Sequence, residues 1–454
     1  MNDYFRSFSL LGLCVIAGTG SLPAAGPTYS AVYYLTDQTS GAVGIIEGSS
    51  GVFYSATGAT MSIFSVSTLG TETTLATFED PPYTLGSNPG VIAANGLLYS
   101  SVSEVKGVGS GNVFSVSPAP GSEQIYPPQR LAVGPLSGSL PNGEMFGIAY
   151  NLTNSIESLV TVDLGGKVTS LYVFAAGDRP ARPIYGADGS YYGISYNSSV
   201  SGSTSYLYQV TPSGSFTKVA SLPFGGAGPG GGGGSPYAGS GLILQGTDGN
   251  FYGIQPTTGG CSASNQHGAV FKLTPSGQFT ILHDFGVCEN SVVNSLIEGS
   301  DGRLYGATEG NSVIFSLTTS GTYKALFAPN NGATQGLCTC TLVQGSDGII
   351  YGTALGGGPT GLGVIFALDA GLPIPKPRAA EFSPQSGAAG TQVRIWGNNL
   401  FGASVEFNGV PATGVYNAGP NYVWATVPTG ATAGPITITT PGGTVTTKES
   451  FTVE

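Results

Sequence analysis

The chain has 454 residues, room for two or more domains, and only 9% of them are charged. Its 14 Lys and Arg stand against 25 Asp and Glu, a formal charge of −11 with no basic cluster. Neutralising phosphate needs grouped cations, so nucleic acid is excluded as a partner.

The first segment, "MNDYFRSFSLLGLCVIAGTGSLPAAG", combines Arg6, an apolar run Leu10–Ala17 and small residues near Ala25. That pattern reads as a secretory signal peptide over residues 1–25. Leu13 is too large for a lipoprotein cleavage box ahead of Cys14, and no stretch approaches the roughly 20 apolar residues that span a bilayer. The expectation is a protein secreted or associated with the cell surface by bacterial-type export, with no membrane span.

The next segment, "TYSAVYYLT" (28–36), is strand-like and belongs to no repeat. After it a nine-residue word recurs, clearest as "GADGSYYGI", "GTDGNFYGI", "GSDGRLYGA" and "GSDGIIYGT". Seven copies align on the aromatics Tyr54, Tyr99, Phe146, Tyr192, Tyr252, Tyr305 and Tyr351, spaced 45 to 60 residues apart. Such a period indicates a propeller or a solenoid. The residue before each turn Gly is Ser, Asn or Asp, whose side chain bonds the backbone two residues on, while Gly accepts φ > 0. The word is therefore a turn between two strands. No D-x-D-x-D-G loop surrounds its aspartates, so no metal is expected there.

A third strand follows each word, from "SIFSV" (62–66) to "VIFAL" (364–368), and a fourth closes most units, as in "TLATF" and "TILHDF". Four antiparallel strands per unit describe a propeller blade. The seventh unit lacks its fourth strand, and Ala31–Leu35 is expected to supply it and so remove an exposed edge. The domain boundaries read as 26–370 for the propeller, 371–378 for a Pro-rich linker and 379–454 for a final module.

In that module apolar residues alternate, as at Val393 and Ile395, Val405 and Phe407, Ile436 and Ile438, between Gly, Pro and Asn turns, the pattern of a β-sandwich. Trp396 and Trp424, the only tryptophans, lie in or beside strands, where core packing is the expected role. The fold class is thus all-β: a seven-bladed β-propeller followed by an immunoglobulin-like β-sandwich. The words of the later units resemble the tandem GloVer repeats of exported bacterial proteins. "FSPQSGAAGT", "VEFNGVPA", "TVPTG" and the closing "FTV" resemble the IPT/TIG domain. The first resemblance implies a propeller outside the cell and brings no established activity; the second implies a spacer or interaction module.

Chemistry-bearing residues are few. H-E-x-x-H and G-x-S-x-G are absent, and Gly230–Gly234 lacks the Lys-Ser/Thr of a phosphate loop, so no catalytic residue, metal or cofactor is assigned. His267 lies in a loop, and His283 in a fourth strand is expected to face solvent on the rim. Glu47, Gln245, Glu298 and Gln344 hold one position of the innermost strand and are expected to form a polar ring at the channel, while Ile92, Ser139 and Tyr185 fill the rest. Paired carboxylates there would suit glycoside hydrolysis. Past the signal, four cysteines allow three pairings. Strand order brings Cys261 and Cys288 to one face as the preferred disulfide, whereas Cys338 and Cys340 either pair together or one takes Cys288.

Strand order also sets the two faces of the disc. The D-G and P-S-G turns share one, and the long loops 224–241 and 255–268 share the other, the expected binding face. The leading function is an exported, non-catalytic binding or surface-associated protein recognising an extracellular glycan or protein. The alternative is a carbohydrate-active enzyme, hydrolase or lyase, using the channel carboxylates.

Overall fold

The computed structural model describes residues 26–35, 42–57, 62–77, 83–85, 90–104, 112–126, 131–151, 153–154, 156–197, 204–223, 242–255, 268–285, 293–308, 313–328, 339–354, 357–359 and 361–454. All regular elements among them are β-strands. Six consecutive segments each fold into an antiparallel sheet. In chain order they begin at Ala42 (sheet 1), Tyr83 (sheet 2), Leu131 (sheet 3), Asp178 (sheet 4), Ile243 (sheet 5) and Val293 (sheet 6). Sheet 7 has three strands from the same stretch of chain, Thr339–Gln344, Ile350–Ala354 and Val364–Asp369. Its fourth is the N-terminal strand Thr28–Tyr34, antiparallel to Val364–Asp369.

Seven apolar clusters each join two neighbouring sheets. One holds Tyr54 and Ile63 of sheet 1 with Ile92, Leu98 and Phe114 of sheet 2. The next five step through sheets 2 to 7 in order. The last joins Tyr351 and Ile365 of sheet 7 to Phe53 and Phe64 of sheet 1. Second and third strands are therefore covered on both faces, which explains their near-continuous apolar sequences: Leu304–Thr308 and Ile314–Leu317 are wholly buried. Outer strands such as Phe279–Asp284 are covered on one side only.

The recurring word is the turn between first and second strands. Its second glycine, at positions 51, 96, 143, 189, 249, 302 and 348, has φ between 72° and 90° throughout, a conformation costly for any residue with a Cβ. The first glycine serves a different need. A Cβ on Gly186, Gly246, Gly299 or Gly345 would lie 2.6–2.8 Å from the ring of the tyrosine six residues later. In three of these units the glycine after the tyrosine makes room likewise: a Cβ on Gly253, Gly306 or Gly352 would collide with Phe271, Phe315 or Phe366 of the third strand.

Residues 378–453 form two further sheets. Their facing residues Phe382, Val393, Ile395, Val405, Phe407, Ile436, Ile438 and Phe451 share one buried core. The segment before them lies along sheets 6 and 7, where the Pro373 carbonyl accepts from the Ser300 hydroxyl and from Gln344 Nε2.

Candidate functional site

The turns are keyed to their tyrosines. Asp188, Asp248, Asp301 and Asp347 each accept the hydroxyl of the tyrosine four residues on, at 2.7–2.9 Å. Each also accepts a backbone N–H two residues on. Burial tends to raise Asp248, but the Tyr252 hydroxyl, Asn250 and Lys272 outweigh it and hold its carboxyl down to about 2. In sheet 2 the Asn95 amide donates to the Tyr99 hydroxyl instead, at 3.0 Å. Phe146 has no hydroxyl, and Asn142 stands at its turn.

Glu47, Gln245, Glu298 and Gln344 stand at the ends of innermost strands, and each reaches the preceding sheet. Gln245 accepts from Ala187 N at 2.9 Å, and Gln344 from Ser300 N at 2.8 Å. Glu298 accepts from both the N–H and the hydroxyl of Thr247, each at 2.9 Å. Glu47 closes the cycle by accepting from Ser346 N at 2.8 Å and its hydroxyl at 2.7 Å. The donor is the same word residue every time, the one between the first glycine and the aspartate. Glu47 also accepts from Gly51 N at 2.9 Å, while Gln344 and Gln245 donate to Gly348 and Gly249 carbonyls. Burial lifts the Glu47 carboxyl above its ordinary range despite these donors. Four of the seven sheet-to-sheet junctions thus carry one side-chain-to-turn fastening.

A second acidic centre gave no sequence signal. Glu157 opens the third strand of sheet 3, is mostly buried, and meets Arg179 of sheet 4 at 3.4 Å. Burial pushes its carboxyl up to about 7, the Arg179 guanidinium offsets this in part, and Asp178 adds to the rise. Tyr208 and Tyr206 of sheet 4 lie within electrostatic reach of Glu157 and Asp178 respectively. The Tyr208 hydroxyl is buried without a hydrogen-bond partner among the described residues, the Tyr206 hydroxyl is within hydrogen-bonding reach of Ser195 and Asp178, and Lys218 lies 3.9 Å above the Tyr206 ring. Half-buried Arg182 donates to the Leu136 carbonyl of sheet 3, 46 residues away in the chain, at 3.2 Å. Buried acids with displaced pKa values are what general acid–base chemistry uses.

The tryptophans correct the core-packing expectation. Strand alternation sends Val393, Ile395, Val423 and Ala425 into the sandwich core, so Arg394, Trp396, Tyr422 and Trp424 share the opposite face. That face lies on sheets 2 to 4. Trp424 Nε1 donates to the Ala94 carbonyl at 2.9 Å, Tyr422 to the Leu140 carbonyl at 2.5 Å, and Arg394 to the Asn142 carbonyl at 2.9 Å. The Trp396 ring meets Tyr185 edge-on at 5.9 Å. His283 likewise departs from expectation: its ring is half-buried and stacks on Tyr323 of sheet 6 at 4.2 Å, because outer strands of neighbouring sheets approach one another. Residues 1–25, expected to be a signal peptide and including Cys14, together with Cys261, Cys288, Cys338, Gly230–Gly234, His267 and nearly all of the two long loops, lie outside the described residues, as does the side chain of Cys340.

No helix among the described residues is long and apolar enough to cross a membrane. Residues 179–372 match the Gloeobacter/Verrucomicrobia repeat. No curated protein matches the chain. Among solved structures, a streptogramin B lyase is similar with a TM-score of 0.52 at 16% identity, over 76% of this chain and 98% of that one. Virginiamycin B lyase from Staphylococcus aureus gives 0.50 at 16% identity, over 75% of this chain and 98% of that one. Its catalytically inactive form with quinupristin gives 0.51 at 15% identity, over 75% and 99%. Identity so low speaks for fold alone. The chain is accordingly an all-β protein with propeller-like neighbours, whose residues 179–372 carry the Gloeobacter/Verrucomicrobia repeat.

Proposed function

We propose that the protein is exported and binds without catalysis, presenting the loops of a propeller to an extracellular glycan or protein. In this reading the seven sheets are the blades of one closed β-propeller, and residues 379–454 are an immunoglobulin-like domain of the IPT/TIG type. The cyclic run of apolar clusters supports the ring. One observation carries the functional part: all four innermost polar residues are engaged in fastening neighbouring sheets. Glu47 and Glu298 are then parts of the scaffold, interchangeable in role with Gln245 and Gln344, and the acids an enzyme of the channel needs are already occupied.

A second reading keeps a carbohydrate-active enzyme, moved from the channel to Glu157, whose buried carboxyl near pH 7 suits a general acid. Incubating the full chain with a polysaccharide panel, alongside a glycan array, separates the two. Retention of glycans with no release of reducing ends or unsaturated products is the expected result. Product release that disappears in Glu157→Gln would instead establish the enzyme, and release lost in Glu298→Gln would return the acids to the channel.

A further inference from the structure

The four fastened junctions join sheets 4 to 5, 5 to 6, 6 to 7 and 7 to 1. Among the described residues the other three have no such fastening, for reasons visible in the sequence. At the junction of sheets 1 and 2 the acceptor position holds Ile92, which has no oxygen to offer. Between sheets 2 and 3 it holds Ser139, too short to reach across. Between sheets 3 and 4 both halves are missing: Tyr185 replaces the acceptor and Pro141, with no N–H, replaces the donor.

Each of these three positions is met by the C-terminal sandwich. Gly419 approaches Ile92 so closely that a Cβ would come within 2.6 Å of it. The Tyr422 hydroxyl is within hydrogen-bonding reach of Ser139. Trp396 packs on Tyr185. The three hydrogen bonds from Trp424, Tyr422 and Arg394 all end on carbonyls of the sheet 2 and sheet 3 turns. Ala94, Ala418 and Tyr422 form a small buried cluster between the two parts, with Trp396 and Trp424 packed against it. Trp, Tyr and Arg are the side chains that dominate association energies.

We propose that the sandwich is an intramolecular clasp, holding sheets 2 to 4 together where the ring lacks its own fastenings. Its occupant surface is the turn face of sheets 2 to 4, and its contact set is the Arg394, Trp396, Tyr422 and Trp424 face.

The test uses the full chain and the paired substitution Trp424→Phe with Tyr422→Phe, which removes two donors and leaves an aromatic ring at each position. Hydrogen exchange read by mass spectrometry should speed up about tenfold in Leu98–Glu104 and Met145–Asn151. Leu304–Thr308, Ile350–Ala354 and the sandwich strand Gly434–Thr440 should keep their rates. Unchanged exchange in sheets 2 and 3, or an equal increase in every sheet, would overturn the proposal. Should the double variant fail to fold, Trp424→Phe alone is read in the same peptides. Both tryptophans sit in this contact, so intrinsic fluorescence in rising urea provides an independent measure. Red-shifted emission should coincide with loss of protection in sheets 2 and 3; emission that shifts only with sheets 5 to 7 would also overturn the assignment.

Discussion

At the scale of single residues, Glu298 and Glu157 are two acids with opposite relations to their surroundings. Glu298 accepts three contacts from Thr247, and at the matching positions Gln245 and Gln344 accept the corresponding backbone N–H. Glu298→Gln should therefore leave urea stability nearly unchanged, whereas Glu298→Ala strands the Thr247 N–H and should cost about 1–3 kcal/mol. Glu157 is held in a setting that favours its neutral form, with a folded pKa of about 7. Between the unfolded value of about 4.3 and that pH the folded chain binds more protons, so stability falls as pH rises through this window. Glu157→Gln has no such term, and its advantage over the parent should grow from near zero at pH 4 to on the order of 1–3 kcal/mol at pH 8 in pH-resolved unfolding. The turn role of the Asp-Gly pairs was legible because donor and acceptor lie two residues apart. The fastening role of Glu47 was not, since its partner Ser346 is 299 positions away and only the packing of sheet 1 against sheet 7 brings them together. Glu157 left no trace at all: its displacement comes from neighbours in two sheets, not from a motif.

Among the elements, the strand Thr28–Tyr34 is the one with most to lose. Tyr29 stacks on Phe327 of sheet 6 at 4.0 Å, nearly parallel, and on Phe366 of sheet 7 at 5.4 Å. One ring thus ties the N-terminal strand to two sheets. Burial pushes its hydroxyl up to about 12, with Tyr34 adding to the rise. Tyr29→Ala should lower stability by about 2–4 kcal/mol and accelerate exchange along Val364–Asp369 before other strands. Thermal unfolding and peptide-level exchange check both halves of that expectation. The need for an extra strand was readable from the seventh unit, which stops after Val364–Asp369. Its register was not, and the strand begins three residues earlier than Ala31, pairing Thr28 with Asp369 across an irregularity between Ala31 and Tyr33. Period-two patterns fix which face a strand buries, but not how far it slides.

Over the whole molecule the chain is built from two unequal halves. Sheets 4 to 7 are fastened to one another, and sheet 7 to sheet 1, through their own words, while the positions that would fasten sheets 1 to 4 hold Ile92, Ser139 and Tyr185. Sequence reading could not say what holds sheets 2 to 4 at these positions, because Arg394, Trp396, Tyr422 and Trp424 are separated from their partners by more than 200 residues. It also took the tryptophans for sandwich core, since alternation alone does not say which face is inward when both are covered. The word in sheets 5 and 6 has a further property. It offers an amide hydrogen to the next copy downstream and extends an oxygen to the copy upstream, like a link with a hook at one end and an eye at the other. A unit cut out as a cassette from this stretch carries matching partners for both sides, so its two edges would fit any copy of the same word. In sheets 2 and 3 the same turns are bound by the tail of the protein, and a graft there would have to answer to it as well.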